Sequence, residues 1–343
     1  MKTGILTHWN NYLDALAPRQ KDVYFLEEYQ RLYAGNGQEP RCVYAQDERG
    51  IMLLPYLHRS FSFDGHTWYE QETAYGYGGP VCSTEDLAFR ADSAAAIFRT
   101  MQQEGYLVGF VRFHPLLDNY RGLEGVGRII EGQQVIVMNL QGTEEEIWMR
   151  EIHRKNRSAI KRSERDGLRF EADYDFAHLP DFLRLYNSTM DKLGAEKFYY
   201  FPDSYYQSIR TDFPGSFLGL VWAGEEVAAS AIFFRSAPFG HYHLAGSNPA
   251  FLASSPNNLL IWKAALELKS KGVELFHLGG GTTTDPEDSL FLFKHRFSQE
   301  VRTHRIGKFV YAPEAYQRIC EEWERQNPDK IQKYGKYVLK YKY

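Results

Sequence analysis

The sequence predicts an α+β protein of two domains, each a mixed sheet flanked by helices. Its 343 residues, 43% of them hydrophobic, are enough to bury two cores of ordinary size. Strand and helix patterns alternate along the first 140 residues, and the same alternation repeats in the second half. Residues 241–278 show the pattern most clearly, as a strand, a helix and a strand in direct succession. Together these observations predict two α/β cores in one chain.

The strand–helix–strand segment is the clearest local pattern. Alternating aromatic and apolar residues predict a strand over 241–245, helical spacing predicts a helix over 257–271, and a β-prone run predicts a strand over 273–278. The signals for the helix start and end are Ser254, Ser255, Pro256 and Gly272. The glycine turn over 279–281 and the helix N-terminus are then open to a ligand.

The other elements follow from periodicity and turn residues. In the first half they are one or two short helices over 1–34, strands over 41–45 and 50–57, a helix over 84–104 capped by Ser83 or Thr84, and strands over 107–113 and 134–140. In the second half they are one or two helices over 143–166, helices over 179–193 and within 198–210, strands over 216–223, 227–235 and 305–311, and a helix over 313–326.

Three motifs stand in a distinctive order. The motif nearest the C-terminus comprises the helix start over 256–262, the Leu-Gly-Gly strand end over 278–280 and Phe-Lys-x-x-Phe over 293–297. A basic helix over 154–167 precedes it, and a Tyr-Gly-Tyr-Gly-Gly-Pro turn over 75–80 comes first. In this order the motifs resemble the Fem family, which builds peptidoglycan cross-bridges by aminoacyl transfer and belongs to the wider Gcn5-related N-acetyltransferase (GNAT) fold group.

The resemblance implies two tandem GNAT-like domains with mainly antiparallel sheets. We expect the first over 1–141 and the second over 142–311, with helices over 312–343 packing back on the first domain. The active cleft is expected in the second domain, facing the first.

The resemblance also implies an enzyme that transfers an aminoacyl group from aminoacyl-tRNA to an amine of a peptidoglycan precursor in the cytoplasm. Two alternatives stay open. One is an acyl-CoA-dependent N-acetyltransferase acting on an amino sugar or small amine; the other is a non-catalytic module that binds a glycan or peptide. The segment 249–256 lacks the glycine-rich turn that usually cradles the coenzyme A pyrophosphate. A coenzyme A donor is therefore disfavoured, although Ser254, Ser255 and Asn257 still offer donors.

Lys294 is the first catalytic candidate, because by resemblance it matches a family lysine beside the donor and acceptor groups. Its charge can stabilise a tetrahedral oxyanion or a donor phosphate. The structural alternative is a surface lysine on an amphipathic turn. Phe293 is expected to contact substrate beside it.

The strand over 241–245 supplies further candidates. His243 or Tyr242 is expected to contact or deprotonate the acceptor amine, since histidine has a pKa suited to general-base work. For each of the two histidines of this strand, His241 and His243, a purely structural role is the more usual one. By resemblance, Tyr75 and Tyr77 are expected to line the acceptor side. A metal is not expected, because no third ligand has helpful spacing.

Charge is unevenly distributed along the chain. The formal net charge is −4, yet residues 150–169 carry eight Lys or Arg and three acids, a local charge of +5. This segment, with Arg157 and Lys161 at its centre, is either a solvated helix face or a contact for RNA or nucleotide phosphates. The acids over 285–288 can serve as an acid or base, but such turn acids are usually solvated.

Several other classes of protein are not supported by the sequence. The three cysteines are far apart, which is typical of buried thiols in a reducing compartment. No signal-peptide pattern and no apolar run of membrane-spanning length is present, so we expect a soluble cytoplasmic protein. The glycine turn lacks the Gly-Lys-Ser/Thr ending of a nucleotide triphosphatase, and no Gly-x-Ser-x-Gly elbow of a serine hydrolase occurs.

Overall fold

The protein is described by a computed structural model that covers residues 1–35 and 37–343. The strands are β1 (Lys2–Leu6), β2 (Gln38–Asp47), β3 (Gly50–Phe63), β4 (His66–Glu72), β5 (Val81–Cys82), β6 (Tyr106–Arg112), β7 (Arg128–Asn139), β8 (Arg169–Asp173), β9 (Phe217–Ala223), β10 (Glu226–Ser236), β11 (Phe239–Ser247), β12 (Leu275–Gly280) and β13 (Val301–Val310).

The α-helices lie before, between and after groups of these strands. They are α1 (Asn10–Asp14), α2 (Glu27–Tyr33), α3 (Leu87–Gln103), α4 (Glu144–Arg150), α5 (Arg154–Arg165), α6 (Leu179–Leu193), α7 (Asp203–Asp212), α8 (Pro256–Ser270), α9 (Ser289–His295), α10 (Pro313–Gln326) and α11 (Ile331–Tyr334). No helix among the described residues is both long enough and apolar enough to cross a membrane. The predicted α+β class, with helices flanking mixed sheets, is confirmed.

The chain forms two compact units, residues 1–132 with 303–343 and residues 133–302. The expected domains divide the chain at 141/142 and 311/312 instead, and those limits stay a prediction.

In the first unit the strand order is β1-β2-β3-β4-β6-β13, with β4 and β6 parallel and the other neighbours antiparallel. Helix α3 packs against this sheet through Phe89, Ile97 and Met101. Ala315 and Ile319 of α10 share a core cluster with Leu107 and Val108 of β6.

The second unit is built on the order β7-β12-β11-β10-β9-β8. β11 and β12 are parallel and α8 connects them, as the strand–helix–strand pattern predicts; the other neighbours are antiparallel. Val221 packs in the cluster that includes α8, whereas Leu220 packs in the cluster that includes Leu185 of α6. Because successive strand residues point to opposite faces, α6 and α8 cover opposite faces of the sheet.

One glycine allows α6 to approach the sheet closely. A Cβ on Gly246 of β11 would lie 2.4 Å from the backbone carbonyl carbon of Leu185 in α6. Only glycine fits where two backbones come this near.

Several sequence-based expectations at element ends are wrong. The first residues form the strand β1, which pairs with β2, where only helices are expected. Asp86, and not Ser83 or Thr84, caps α3 by accepting a hydrogen bond from the Ala88 amide at 2.8 Å. Ser255 stands at the N-cap position of α8, but it has a left-handed φ of 55° and its side chain does not cap the helix.

Candidate active site

Lys294 lies in the last turn of α9, and its side chain is buried in the second unit. The residue is 7% exposed, and Nζ donates a hydrogen bond to the carbonyl oxygen of Gly280, 2.8 Å away at the end of β12. The same nitrogen lies 5.8 Å from the ring centroid of Tyr242 on β11. The surface-lysine alternative is therefore wrong.

Burial sets the ionisation of this lysine. Loss of water around the ammonium lowers the pKa of Lys294 from 10.5 to about 8, and the charge of Asp288 opposes that shift. The side chain is therefore mostly a cation at neutral pH, held where few other groups stabilise its charge. A buried cation of this kind interacts strongly with negative charge that develops beside it.

Asp288 organises the loop between β12 and α9. Its carboxylate accepts four backbone hydrogen bonds of 3.0 to 3.1 Å, from the amides of Thr282, Thr283, Leu290 and Phe291. The Thr282 hydroxyl and the Phe291 amide are the main groups that hold the pKa of this carboxyl well below its usual range. Asp288 is thus the N-cap of α9, which fixes the start of the helix that carries Lys294.

Tyr242 shares the side of β11 that Lys294 approaches. Its ring is half-buried and packs 5.6 Å from the ring of Phe233 on the neighbouring strand. Burial raises the pKa of the Tyr242 phenol, so the hydroxyl stays protonated at neutral pH. It is a neutral hydrogen-bonding group beside a buried ammonium.

His243, the next residue, points to the opposite face of β11. Its Nε2 lies 2.5 Å from the hydroxyl oxygen of Tyr205 on α7. Burial, with a smaller effect of His241, lowers the pKa of His243 to about 3. The structure therefore places Tyr242, and not His243, close to Lys294. The His243 imidazole is a weak base at neutral pH.

Phe293 lies beside Lys294 in α9 but packs inward. Its ring contacts that of Phe297 at 5.4 Å and lies against the main core of the second unit. Its expected contact with substrate stays a prediction.

Comparison with known proteins matches this part of the chain to a family described as Acetyltransferase (GNAT) domain, over residues 150–295. A relative is the UDP-N-acetylmuramoylpentapeptide-lysine N(6)-alanyltransferase of Weissella viridescens, 23% identical over 311 residues that cover 84% of this chain and 89% of the relative. The chain is an acyltransferase with a GNAT domain. The resemblance seen in the motifs is thereby confirmed.

Solved structures support the fold of this acyltransferase. The crystal structure of FemX has a TM-score of 0.68 at 13% identity and covers 92% of this chain and 99% of its own. The C-terminal domain of a putative lysylphosphatidylglycerol synthetase from Agrobacterium fabrum has a TM-score of 0.51 at 14% identity, covering 86% and 91%. Both resemblances concern the fold.

The basic helix α5 of the acyltransferase is tied to the loop before α8. The Ser163 hydroxyl donates to the carbonyl oxygen of Ser254 at 2.6 Å, and the carbonyl oxygen of Ser255 lies 3.1 Å from the same hydroxyl. Arg162 donates to the Ser255 hydroxyl at 2.5 Å. The Ser255 hydroxyl thus accepts from α5 and makes no capping hydrogen bond to α8.

The remaining predicted contacts on this side are more exposed. Lys161 is exposed on α5, and Arg157 is half-buried with Nη1 3.0 Å from the sulfur of Met149. Asn257 is half-buried in the first turn of α8. Their roles in binding substrate stay predictions.

Tyr75 and Tyr77 lie in the first unit of the acyltransferase, within a cluster of aromatic rings. The Tyr29 hydroxyl donates to the Tyr75 carbonyl at 2.9 Å. Tyr77 packs edge-on against Tyr24 and His304, each at a centroid distance of 5.3 Å, and burial raises its pKa. Their expected place on the acceptor side stays a prediction.

Beside this cluster, sequence reasoning missed a buried pair of polar groups. His114 Nε2 lies 2.8 Å from a carboxylate oxygen of Asp22, while its Nδ1 accepts from the Leu116 amide at 3.2 Å. That second contact assigns the proton to Nε2, so His114 donates to Asp22. The two residues are 92 positions apart in the chain, so no local motif joins them.

Proposed function

We propose that this acyltransferase moves an aminoacyl group from aminoacyl-tRNA to an amine of a peptidoglycan-precursor stem peptide. The observation that carries the proposal is the buried ammonium of Lys294, held by the Gly280 carbonyl and close to the Tyr242 ring. The alanyltransferase relative, whose name states transfer to lysine N6 of a UDP-N-acetylmuramoylpentapeptide, supports the choice of acceptor.

The reaction needs charge stabilisation more than a strong base. The neutral acceptor amine attacks the ester carbonyl carbon, a nitrogen–carbon bond forms, and the carbonyl oxygen becomes an oxyanion. Lys294 stabilises that oxyanion as a cation. The carbon–oxygen ester bond then breaks, and the proton lost by the amine ends on the departing ribose hydroxyl. Tyr242 orients the acceptor through its neutral hydroxyl.

With this assignment, the role of His243 is structural and not that of a general base. A base with a pKa of about 3 is almost unable to take a proton from an ammonium at neutral pH. In our proposal His243 joins β11 to α7 through its hydrogen bond with Tyr205 and thereby fixes the strand that carries Tyr242.

An acyl-CoA donor is the second candidate, since the matched family is described by acetyl transfer. Its weakness is the loop before α8, where Pro249–Ser254 forms a 3-10 helix and Pro256 occupies the first turn. Proline offers no amide hydrogen to a pyrophosphate. The acyltransferase family match sets aside the non-catalytic binding module.

A donor and acceptor matrix tests the proposal. The purified protein is incubated with alanyl-tRNA or acetyl-CoA, each with UDP-N-acetylmuramoylpentapeptide or glucosamine, and products are followed by mass spectrometry. We expect the pentapeptide to gain one aminoacyl residue, and only with charged tRNA. Acetylation from acetyl-CoA with no aminoacyl product would instead establish the second candidate. Uncharged tRNA and a pentapeptide blocked at its lysine amine are the controls.

The basic helix makes a separate prediction about the donor. Replacing Arg157 and Lys161 together with glutamate is expected to weaken tRNA binding and lower the slope of log affinity against log salt by about 0.7–0.9 for each phosphate that is no longer neutralised. The matched control reverses Arg184 and Lys192, which are exposed on α6 of the same unit. Equal weakening in both double variants would show only a general charge effect, and unchanged affinity would leave α5 a solvated face.

A further inference from the structure

The first unit contains a cavity of about 150 Å³ whose wall carries three arginines, Arg19, Arg90 and Arg121. Glu85 is the single acidic group among the described residues that line it. Three positive charges and one negative charge leave the wall with two net positive charges, in a chain whose net charge is −4. The remaining wall is largely apolar and includes Met52.

Arg90 is fixed at the inner side of this cavity. It is 7% exposed and lies in the first turn of α3. Its Nε donates to the Thr84 carbonyl at 3.3 Å, and Nη2 lies 2.6 Å from a carboxylate oxygen of Glu85. The Glu85 side chain is 78% exposed, so solvent weakens its hold on the arginine charge. A buried guanidinium in a rigid position is well suited to bind an oxyanion.

The other two arginines lie at the exposed side. Arg121 pairs with Asp118 at 3.5 Å, but both side chains are about half exposed, 53% and 49%, so this ion pair contributes little. Arg19 is exposed as well. The Arg121 side chain can therefore turn towards a ligand at small cost.

The cavity wall is preformed between these arginines. The Asn119 amide nitrogen donates to the carbonyl oxygens of Gly78 and Pro80 at 2.8 and 2.9 Å, which ties two loops together. Cys82 is buried in the wall, and burial raises the pKa of its thiol to about 12. It remains a neutral group, so the arginine charge in the cavity is not offset by a thiolate.

We propose that this cavity binds a small phosphate-bearing molecule. Guanidinium groups pair with phosphate oxygens through two parallel hydrogen bonds, and the excess of positive charge in the wall favours an anion. The volume is well above the roughly 30 Å³ that one water molecule fills, so a phosphate with a short organic body fits. No step of the proposed acyl transfer uses these residues, so this site is independent of that function.

Titration calorimetry with inorganic phosphate tests the site, and sodium chloride at equal ionic strength serves as the salt control. We expect saturable binding to the full-length protein. The double variant Arg19→Gln/Arg121→Gln, whose changes are exposed, is expected to bind phosphate at least about 10-fold more weakly, since each charge-assisted hydrogen bond contributes substantially. Arg90→Gln is expected to weaken binding at least as much.

Arg99→Gln is the matched control, because it removes the same charge from an exposed position on the same helix, away from the cavity lining. It is expected to bind phosphate like the wild type. An absence of saturable binding up to about 20 mM phosphate, together with no rise in the unfolding temperature at that concentration, would overturn the proposal. Equal weakening by Arg99→Gln and the double variant would overturn it too. The acyl-transfer assay on the double variant is a separate readout, whose result does not decide the phosphate site.

Discussion

Replacing Lys294 with methionine is expected to lower kcat/KM for acyl transfer by about 10²- to 10³-fold, the usual reduction when one oxyanion-stabilising group is removed. Methionine fills similar space and has no charge, so the change isolates the ammonium. The physical reason is the burial of Nζ against the Gly280 carbonyl, where few water molecules can replace its charge. Steady-state rates with charged tRNA and the pentapeptide measure the effect.

Lys192→Met is the matched control, since Lys192 is exposed on α6 of the same unit. It should retain wild-type rates. Turnover in Lys294→Met within a factor of two or so of the wild type would contradict the assigned role. Lys192→Met should unfold at a temperature near that of the wild type because the side chain is exposed. Lys294→Met should do so at neutral pH because the solvation cost of the buried charge that it removes offsets the lost hydrogen bond to the Gly280 carbonyl.

Stability against pH checks the burial of Lys294 without any substrate. The folded-state pKa of about 8 lies below the ordinary 10.5, so between these values the unfolded chain binds more protons. The unfolding free energy of the wild type should therefore rise relative to that of Lys294→Met as pH increases from 8 to 10.5, by up to about 1.4 kcal/mol per pH unit. Below pH 8 the difference should be constant.

The rate of acyl transfer should also depend on the protonation of Lys294. If the ammonium stabilises the oxyanion, its contribution disappears as pH rises through about 8. The acceptor amine becomes more reactive over the same range, which would hide the effect in the wild type alone. We therefore use Lys294→Arg, whose guanidinium stays charged. The ratio of wild-type to Lys294→Arg kcat/KM should fall about 10-fold per pH unit well above pH 8.

The direction in which this ratio changes with pH distinguishes two mechanisms. A rise through pH 8 would mean that neutral Lys294 accepts the amine proton and acts as a general base. A flat ratio would remove Lys294 from the chemical step. If the Lys294→Arg variant is inactive, the wild-type rate is divided instead by the rate of the uncatalysed reaction at each pH, and the same comparison is made.

The helices with strong amphipathic spacing were predictable from sequence. The limits of α6 and α10 agree with the expected 179–193 and 313–326 because their apolar spacing and flanking proline and glycine residues are local signals. β1 was missed because it is short, mixed in polarity and defined by pairing with β2, which is distant in sequence. Asp86 was missed as a cap because Ser83 and Thr84 offered equally good local signals.

The site was predictable only where a motif carried it. Lys294 and Tyr242 come from separate parts of a recognisable pattern, and the fold brings them together. Asp288 looked like a solvated turn acid, since its role depends on how the loop after β12 folds back to cap α9. The three arginines of the phosphate cavity lie far apart in the chain, so their convergence was not readable from spacing.

The first unit is built from two separate segments of the chain, and this affects how the protein folds during synthesis. Residues 133–302 are continuous and leave the ribosome as one stretch, whereas the first unit requires residues 303–343 in addition to its first 132. Until they emerge, β6 lacks its partner β13 and exposes an unpaired edge, and Leu107 and Val108 lack their partners in α10. The later unit can therefore finish folding before the earlier one, and truncation from the C-terminus exposes the first unit to aggregation.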